Sequence, residues 1–300
     1  MEGVKKIDEE EISNVNKMSD NDISLFFGDW VNNIQNLKRE YLINSPFPYI
    51  IIDNFLNSNF VNNIKNEFPD NLNDFFCYFN PIHYKFGNDN INCFPENLKK
   101  SFYLLSSEFI IKKFSDMTDI KLEYDPYLHG AGIHAMPRNG KLSMHLDYEK
   151  HPYLEKQRRL NVILYLNDEW NDSWGGATEL WDSEMNSCVK KSPIKFNTAI
   201  VFRTDEISWH GIPEKIKCPP NILRKTLAYY YISDVESEKT SSKIGNDGSG
   251  YRTRATFVKR PEDPEDKRMD ELFSICPFRR INNDDMNRIW PDWTPENEFF

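Results

Sequence analysis

Three residues of this chain have the types and spacing of a metal site: His145, Asp147 and, 65 residues beyond the first, His210. Two imidazoles and one carboxylate are the ligand set of the 2-His-1-carboxylate facial triad, which holds non-haem Fe(II) and leaves coordination positions open. His145 and Asp147 stand at i and i+2, so on a strand their side chains leave the same face. The third ligand has to come from a distant strand folded back across the first. An HxD pair alone is a common chance occurrence, and its surroundings must carry the reading.

Those surroundings contain a carboxylate clamp. Arg224 follows His210 by 14 residues at the start of a predicted strand, and a guanidinium there can hold a carboxylate through two parallel hydrogen bonds. Tyr165 can add its hydroxyl to the same carboxylate. An iron site beside such a clamp is what a 2-oxoacid cosubstrate requires: one end chelates the metal and the far carboxylate needs a fixed cation. Arg159, Asn161, Ile163 and Tyr165 are spaced by two and share a strand face, so Asn161 can also reach the cosubstrate pocket. Standing alone, Arg224 would read as a surface ion pair, Tyr165 as core and Asn161 as structural.

The elements that must position these residues change period along the chain. Residues 1–20 are polar and acidic and read as a mobile arm. The next stretch, to about residue 115, reads as a helical support region. Ile23, Phe26, Phe27, Trp30, Ile34 and Leu37 give one amphipathic helix over Asp22 to Leu42, followed by a short buried strand at 49–52. Asn57 or Ser58 caps a helix over Phe60 to Phe68, and a further helix runs from Glu96 to Phe114. Residues 70–95 read as irregular. From 116 to 233 short strands alternate with turns: 130–136, 142–148, 160–166, 177–181, 198–202, one near His210, and 226–232. Pro137-Arg138-Asn139-Gly140 and Gly175-Gly176 are the clearest turn signals. This pattern predicts a mainly β protein with flanking helices and a double-stranded β-helix, a jelly-roll or cupin-like core. Residues 234–250 read as a linker or mobile loop. Residues 251–300 form a C-terminal extension with a helix around Asp266 to Phe273.

Composition bounds the partners. A net charge of −10 argues against a nucleic-acid or anionic-membrane binder. No run of 18 apolar residues exists, and the N-terminus lacks an apolar signal core, so no membrane span or secretory leader is expected and the location is expected to be cytoplasmic. Five widely spaced cysteines without a CxxC pair fit a reduced compartment. The spacing says nothing about oligomeric state.

At this point the chain resembles the Fe(II)/2-oxoglutarate-dependent oxygenases of the prolyl 4-hydroxylase type. The resemblance runs from about Pro46 to Ile232. It is densest in HGAGIHAMPRNGKLSMHLDYEKHP, RRLNVILYLNDEWNDSWGGATELWD and FRTDEISWHGIP followed by RKTLAYYY. It implies His145, Asp147 and His210 as iron ligands and Arg224 with Tyr165 on the distal carboxylate of 2-oxoglutarate, with O2 as co-reactant and ascorbate as a reductant. Many relatives carry a Tyr before the turn that precedes HxD; Met136 or His134 stands near that slot here. Some relatives use Lys in the clamp, which makes Lys225 a lesser candidate. The loop between His210 and Arg224, with Cys218-Pro219-Pro220, is longer than in the shortest members. The implied reaction is hydroxylation of a C–H bond, first of a prolyl or other residue in a protein or peptide, with release of succinate and CO2. The alternatives are a free amino acid or small metabolite as substrate and, in a different class, a catalytically silent jelly-roll binding module. Arg158 or Arg159 can meet substrate at the barrel mouth. Trp181 and Trp209 read as core before site walls, and His129, His134 and His151 as structural or substrate-facing. Cys188 and Cys218 read as buried thiols.

Overall fold

The computed structural model describes residues 6–235 and 251–296. The chain opens with helices α1 (Glu9–Asn16), α2 (Asp20–Ser24) and α3 (Ile34–Ile43), then strand β1 (Tyr49–Asp53) and helix α4 (Ser58–Glu67). A hairpin follows, β2 (Phe76–Asn80) and β3 (His83–Asn88), and then α5 (Glu96–Leu105) and α6 (Glu108–Thr118). The remaining strands are β4 (Glu123–Tyr124), β5 (Gly132–Met136), β6 (Lys141–Leu146), β7 (Lys156–Tyr165), β8 (Glu179–Trp181), β9 (Cys188–Lys191), β10 (Thr198–Arg203), β11 (His210–Ile212) and β12 (Arg224–Asp234). The C-terminal part supplies β13 (Thr256–Phe257), α7 (Lys267–Ile275) and α8 (Asn283–Ile289).

The strand order resolves into two antiparallel sheets. One runs β1-β10-β7-β12-β5 and the other β6-β11-β8-β9. Consecutive strands β5 and β6 lie in different sheets, as do β6 and β7, and β7 and β8, so the chain winds back and forth between the two. That is the double-stranded β-helix expected from the strand pattern. Strand β3 closes one side by pairing with both β5 and β6.

Alternation along β12 shows how the layers are filled. Arg224, Thr226, Ala228 and Tyr230 face the inside of the barrel and line its cavity. Leu227, Tyr229 and Tyr231 face the other way and are buried under the helices. Phe102 of α5 lies against Tyr229, and Phe114 of α6 lies 5.1 Å from Tyr231. The helices thus cover the larger sheet and leave the barrel interior to the site.

Four sequence expectations change. The mobile arm over residues 1–20 gives way, over its described part, to α1, because Ile7, Ile12 and Val15 find apolar partners and are buried. The helix over Asp22 to Leu42 is broken near Gly28, whose N–H donates to the Phe55 carbonyl and whose place admits no side chain: a Cβ would stand 1.8 Å from the Asn54 oxygen. The helix over Glu96 to Phe114 is two helices, and Ser107 caps the second by accepting from the Ile110 N–H. Residues 70–95, read as irregular, hold the β2–β3 hairpin. The Asn57 cap is present, accepting from the N–H groups of Asn59 and Phe60. Beyond its first two positions, the expected linker at 234–250 lies outside the described residues. Among the described residues no helix is long and apolar enough to cross a membrane.

Candidate metal and cosubstrate site

Strand β6 carries His145, Asp147 follows its end, and β11 pairs beside it so that His210 stands opposite His145. The register then slips: Ile212 pairs with Leu142, three residues back on β6 against two on β11. This bulge lets Leu142 and His145 both face the interior. The metal-ligating atoms available on His145, Asp147 and His210 lie within 4.8 Å of one another. His145 Nε2 is 3.7 Å from Asp147 Oδ1, and His210 Nε2 is 3.6 Å from Asp147 Oδ2.

Both imidazoles are fixed by the same local device. Nδ1 of His145 is 3.0 Å from the Ser143 carbonyl and Nδ1 of His210 is 2.9 Å from that of Ser208. A carbonyl can only accept, so Nδ1 holds the proton and Nε2 presents its lone pair to the cluster. Burial first, then the neighbouring His210, lowers the His145 pKa to about 3; burial lowers that of His210 as well. Both rings are therefore neutral near pH 7, the form that binds metal. Asp147 feels burial in the opposite sense, but Arg158, His210 and His145 outweigh it and hold the carboxyl at about 2. Two neutral nitrogens and one carboxylate, converging without a bridging proton donor between them, fit a divalent iron.

Arg224 begins β12 and is buried on the same interior face. Its Nε donates to the Gly176 carbonyl at 2.7 Å, and its Nη2 donates to Thr178 Oγ1 at 3.2 Å. The Gly175-Gly176 turn takes positive φ at both positions, which explains two glycines where that carbonyl must turn inward. No carboxylate pairs with Arg224 among the described residues, although a buried guanidinium calls for one. Tyr165 is placed behind it: the hydroxyl lies 3.5 Å from Arg224 Nη2 and bonds Thr178 and Ser192, and the ring does not line the cavity. Tyr165 thus braces the clamp from the back, and Thr178 and Thr226, which sequence reasoning missed, offer hydroxyls at the front. Lys225 faces outward with its ammonium over the Phe68 ring.

Asn161 is drawn to the metal end. Its Nδ2 donates to Asp147 Oδ2 at 3.1 Å, and its Oδ1 is buried with no partner. Met136 pairs with Arg224 across the strands and His134 with Thr226, so Met136 occupies the wall beside the clamp. Arg158, buried over the Tyr230 ring, reaches Asp147 at 3.4 Å; Arg159 does not line the cavity. His129 and His134 line the cavity; His151 is buried against Asp125 at 3.1 Å. Trp181 and Trp209 pack in a small cluster with Met144 and Met185 outside the cavity. Cys218 is buried and Cys188 half-buried, and both are free thiols.

The cavity has a volume of about 670 Å³, enough for a five-carbon diacid and part of a second molecule. Lys85 and His83 of β3 enter it, as does the C-terminal extension. Strand β13 pairs with β6, placing Phe257 against the His145 ring at 5.2 Å. Arg252 holds this segment down, donating to the carbonyls of Asp147 and Asp205. Residues on β3 and beyond 250 carried no motif; their role comes only from pairing with the metal strand.

Residues 131–232 match the family model of the 2OG-Fe(II) oxygenase superfamily. Solved structures similar to the chain include a prolyl hydroxylase from Trichoplax adhaerens in complex with a hypoxia inducible factor peptide (16% identity, 69% of this chain and 94% of that one, TM-score 0.47). A prolyl-4-hydroxylase from Pseudomonas putida is 13% identical over 67% of this chain and 100% of its own, with a TM-score of 0.47. HygX from Streptomyces hygroscopicus, solved with nickel, 2-oxoglutarate and hygromycin B, is 12% identical over 72% and 96%, with a TM-score of 0.45. No curated protein matches the chain. The matched segment, about a third of the chain, spans both sheets of the barrel and contains His145, Asp147, His210 and Arg224, and over it the chain is similar to the 2OG-Fe(II) oxygenases, dioxygenases that work with Fe(II) and 2-oxoglutarate.

Proposed function

We propose that the enzyme hydroxylates a C–H bond of a peptide substrate, a prolyl residue first, with His145, Asp147 and His210 holding Fe(II) and Arg224 holding the distal carboxylate of 2-oxoglutarate. The observation that carries this is the placement of the buried, carboxylate-free Arg224 in the same cavity as the three clustered ligands. When bound, the iron and cosubstrate supply the oxidation: substrate, O2 and 2-oxoglutarate become hydroxylated product, succinate and CO2.

The chain's own residues supply the geometry. Arg224, locked by the Gly176 carbonyl and braced by Tyr165, lets the diacid enter one way round. Thr178 and Thr226 complete the polar end. Arg158 and Asn161 hold Asp147 ionised and oriented, so the carboxylate does not rotate away. Ile163, Ala228 and Ile212 give the cavity apolar wall. A peptide in the cavity would meet Phe76, Tyr78 and Phe79 of the β2–β3 hairpin together with residues of the C-terminal extension.

The test is succinate release with Fe(II), 2-oxoglutarate and candidate prolyl peptides, with mass spectrometry for a product one oxygen heavier. His145→Ala or Asp147→Ala is expected to abolish both signals. Full turnover in either variant would remove the assignment of the ligands. An oxygen added to a free amino acid, with every peptide left unmodified, would replace the peptide by a small-molecule substrate.

A further inference from the structure

The cavity carries more positive charge than the metal and cosubstrate can use. The chain as a whole is acidic, with a net charge of −10. Its cavity nevertheless gathers Lys85, Arg158, Arg224, Arg254, Arg279 and Arg280, against Asp89 and Asp147 as the lining carboxylates. Two of these cations have their partners, Arg158 facing Asp147 and Arg279 pairing with Asp285, and the proposed function assigns Arg224 to the cosubstrate. Lys85, Arg254 and Arg280 make no ion pair among the described residues.

These three come from separate elements: Lys85 from β3, Arg254 from the segment before β13, and Arg280 from the loop between α7 and α8. Neutral groups hold two of them in place. Arg254 Nε donates to the Cys276 carbonyl at 3.2 Å, and the Arg280 guanidinium lies 5.3 Å from the centre of the Tyr78 ring. Asp89 is the one carboxylate on that wall and pairs with none of them within 4.0 Å. Like charges gathered in a low-dielectric cleft repel one another, and the arrangement becomes favourable when an anion enters.

We infer that the substrate carries carboxylates flanking the C–H bond that is oxidised, and that Lys85, Arg254 and Arg280 bind them. The inference rests on the oxygenase reading of the same cavity and narrows its substrate to an acidic one. Two sources offer that chemistry, an Asp- or Glu-rich peptide segment and a free dicarboxylic amino acid. The peptide is the source that the proposed function calls for, and the free amino acid is tested beside it.

The experiment uses the full chain and three fluorescent peptide sets with a central proline, flanked by Asp/Glu, by Ala/Ser, or by Lys. Binding is read by anisotropy under nitrogen with Fe(II) and 2-oxoglutarate present, and succinate release is read in air. The acidic set is expected to bind about tenfold tighter than the neutral one, because its carboxylates add charge-assisted hydrogen bonds that the neutral set lacks. The gap should shrink as salt is raised. An Arg254→Gln, Arg280→Gln double variant should raise KM for the acidic set about tenfold while kcat changes little, the signature of lost substrate binding. Arg280→Glu, at the exposed mouth, should shift the preference toward the Lys set. Circular dichroism identifies any variant that fails to fold, and the wild-type ranking of the three sets then decides the matter alone. Equal or tighter binding of the Lys set overturns the inference. Acidic peptides that bind tightly but yield no succinate would sustain it and sink the oxygenase reading of the peptide instead. Free glutamate or aspartate that displaces the acidic peptide and stimulates succinate release would also sustain it and assign the charge to a small substrate.

Discussion

At the scale of single residues, the site depends on side chains whose partners remove every alternative state. Arg224 shows this best. Its Nε is spent on the Gly176 carbonyl, and its Nη2 donates to Thr178 with the Tyr165 hydroxyl behind it. The guanidinium thus has one orientation before any ligand arrives, and little side-chain entropy is lost on binding. Arg224→Gln should therefore raise KM for 2-oxoglutarate by roughly 10- to 100-fold, the equivalent of losing one charge-assisted carboxylate contact, with a smaller effect on kcat. Succinate release measured against cosubstrate concentration checks this; an unchanged KM would take the carboxylate away from Arg224. At this scale the sequence was legible where chemistry imposed a spacing. HxD on a strand has to present two ligands to one face, and Arg224 opened a strand whose alternation put it inside. Tyr165 was placed on the right strand but one layer too far forward. Its pairing with Thr226 was readable, and the Ser192 and Thr178 hydroxyls that capture its own hydroxyl were not, since they sit just outside β8 and β9 and meet it only once the two sheets face each other. Lys85 could not be found at all, because nothing local marks its strand.

At the scale of elements, the β2–β3 hairpin supplies one wall of the cavity. Its Asn- and aromatic-rich sequence has no clean alternation, so it reads as loop. It becomes a strand only because β5 and β6 present open edges on both sides of it. The fit is tightest at Gly132, which has φ of +99° and lies so near β3 that a Cβ would stand 2.1 Å from the Asn88 carbonyl oxygen. Two demands, a left-handed backbone and a close approach of two chains, meet at one residue. Gly132→Ala should therefore push β3 from β5 and cost roughly 2–3 kcal/mol, read from the urea midpoint. A loss below about 0.5 kcal/mol, the size of an ordinary surface substitution, would show that the hairpin is not held at this point. The turn at Pro137–Gly140 makes the contrast. It was legible because its residues carry their own instruction: Asn139 takes positive φ and the Gly140 N–H donates to the Pro137 carbonyl. The C-terminal extension sits with the hairpin. Its β13 needs the edge of β6 to exist, and its helices need Ile82 of the hairpin to pack against.

At the scale of the whole molecule, the burial that readies the site for metal makes the fold sensitive to acid. His83, His134, His145 and His210 are held below their usual pKa by burial, as is His129, which falls to about 4. Lys85, Arg158 and Arg224 push the same way on several of them, so the cationic cavity and the neutral histidines are one electrostatic arrangement. The unfolded chain protonates these rings near 6.5, whereas the folded chain leaves His129 neutral to about 4 and His145 to about 3. Between those limits the unfolded state binds more protons. Stability is therefore complete above 6.5 and falls as pH drops through that window. His129 and His145 each cost roughly 2 kcal/mol by pH 5, and the other rings add in the same direction, so the urea midpoint of the metal-free protein should drop steeply between pH 7 and pH 5. Asp147 adds nothing in this range, because its carboxyl, held at about 2, titrates below it. Replacing His129 with Gln, outside the ligand cluster, should flatten the pH dependence by one ring's share while leaving the remainder in place. A midpoint that stays level from pH 7 to pH 5 would mean that water or a counter-anion already reaches these rings in the folded state, and that the cavity is not the dry, cationic chamber on which their neutrality depends.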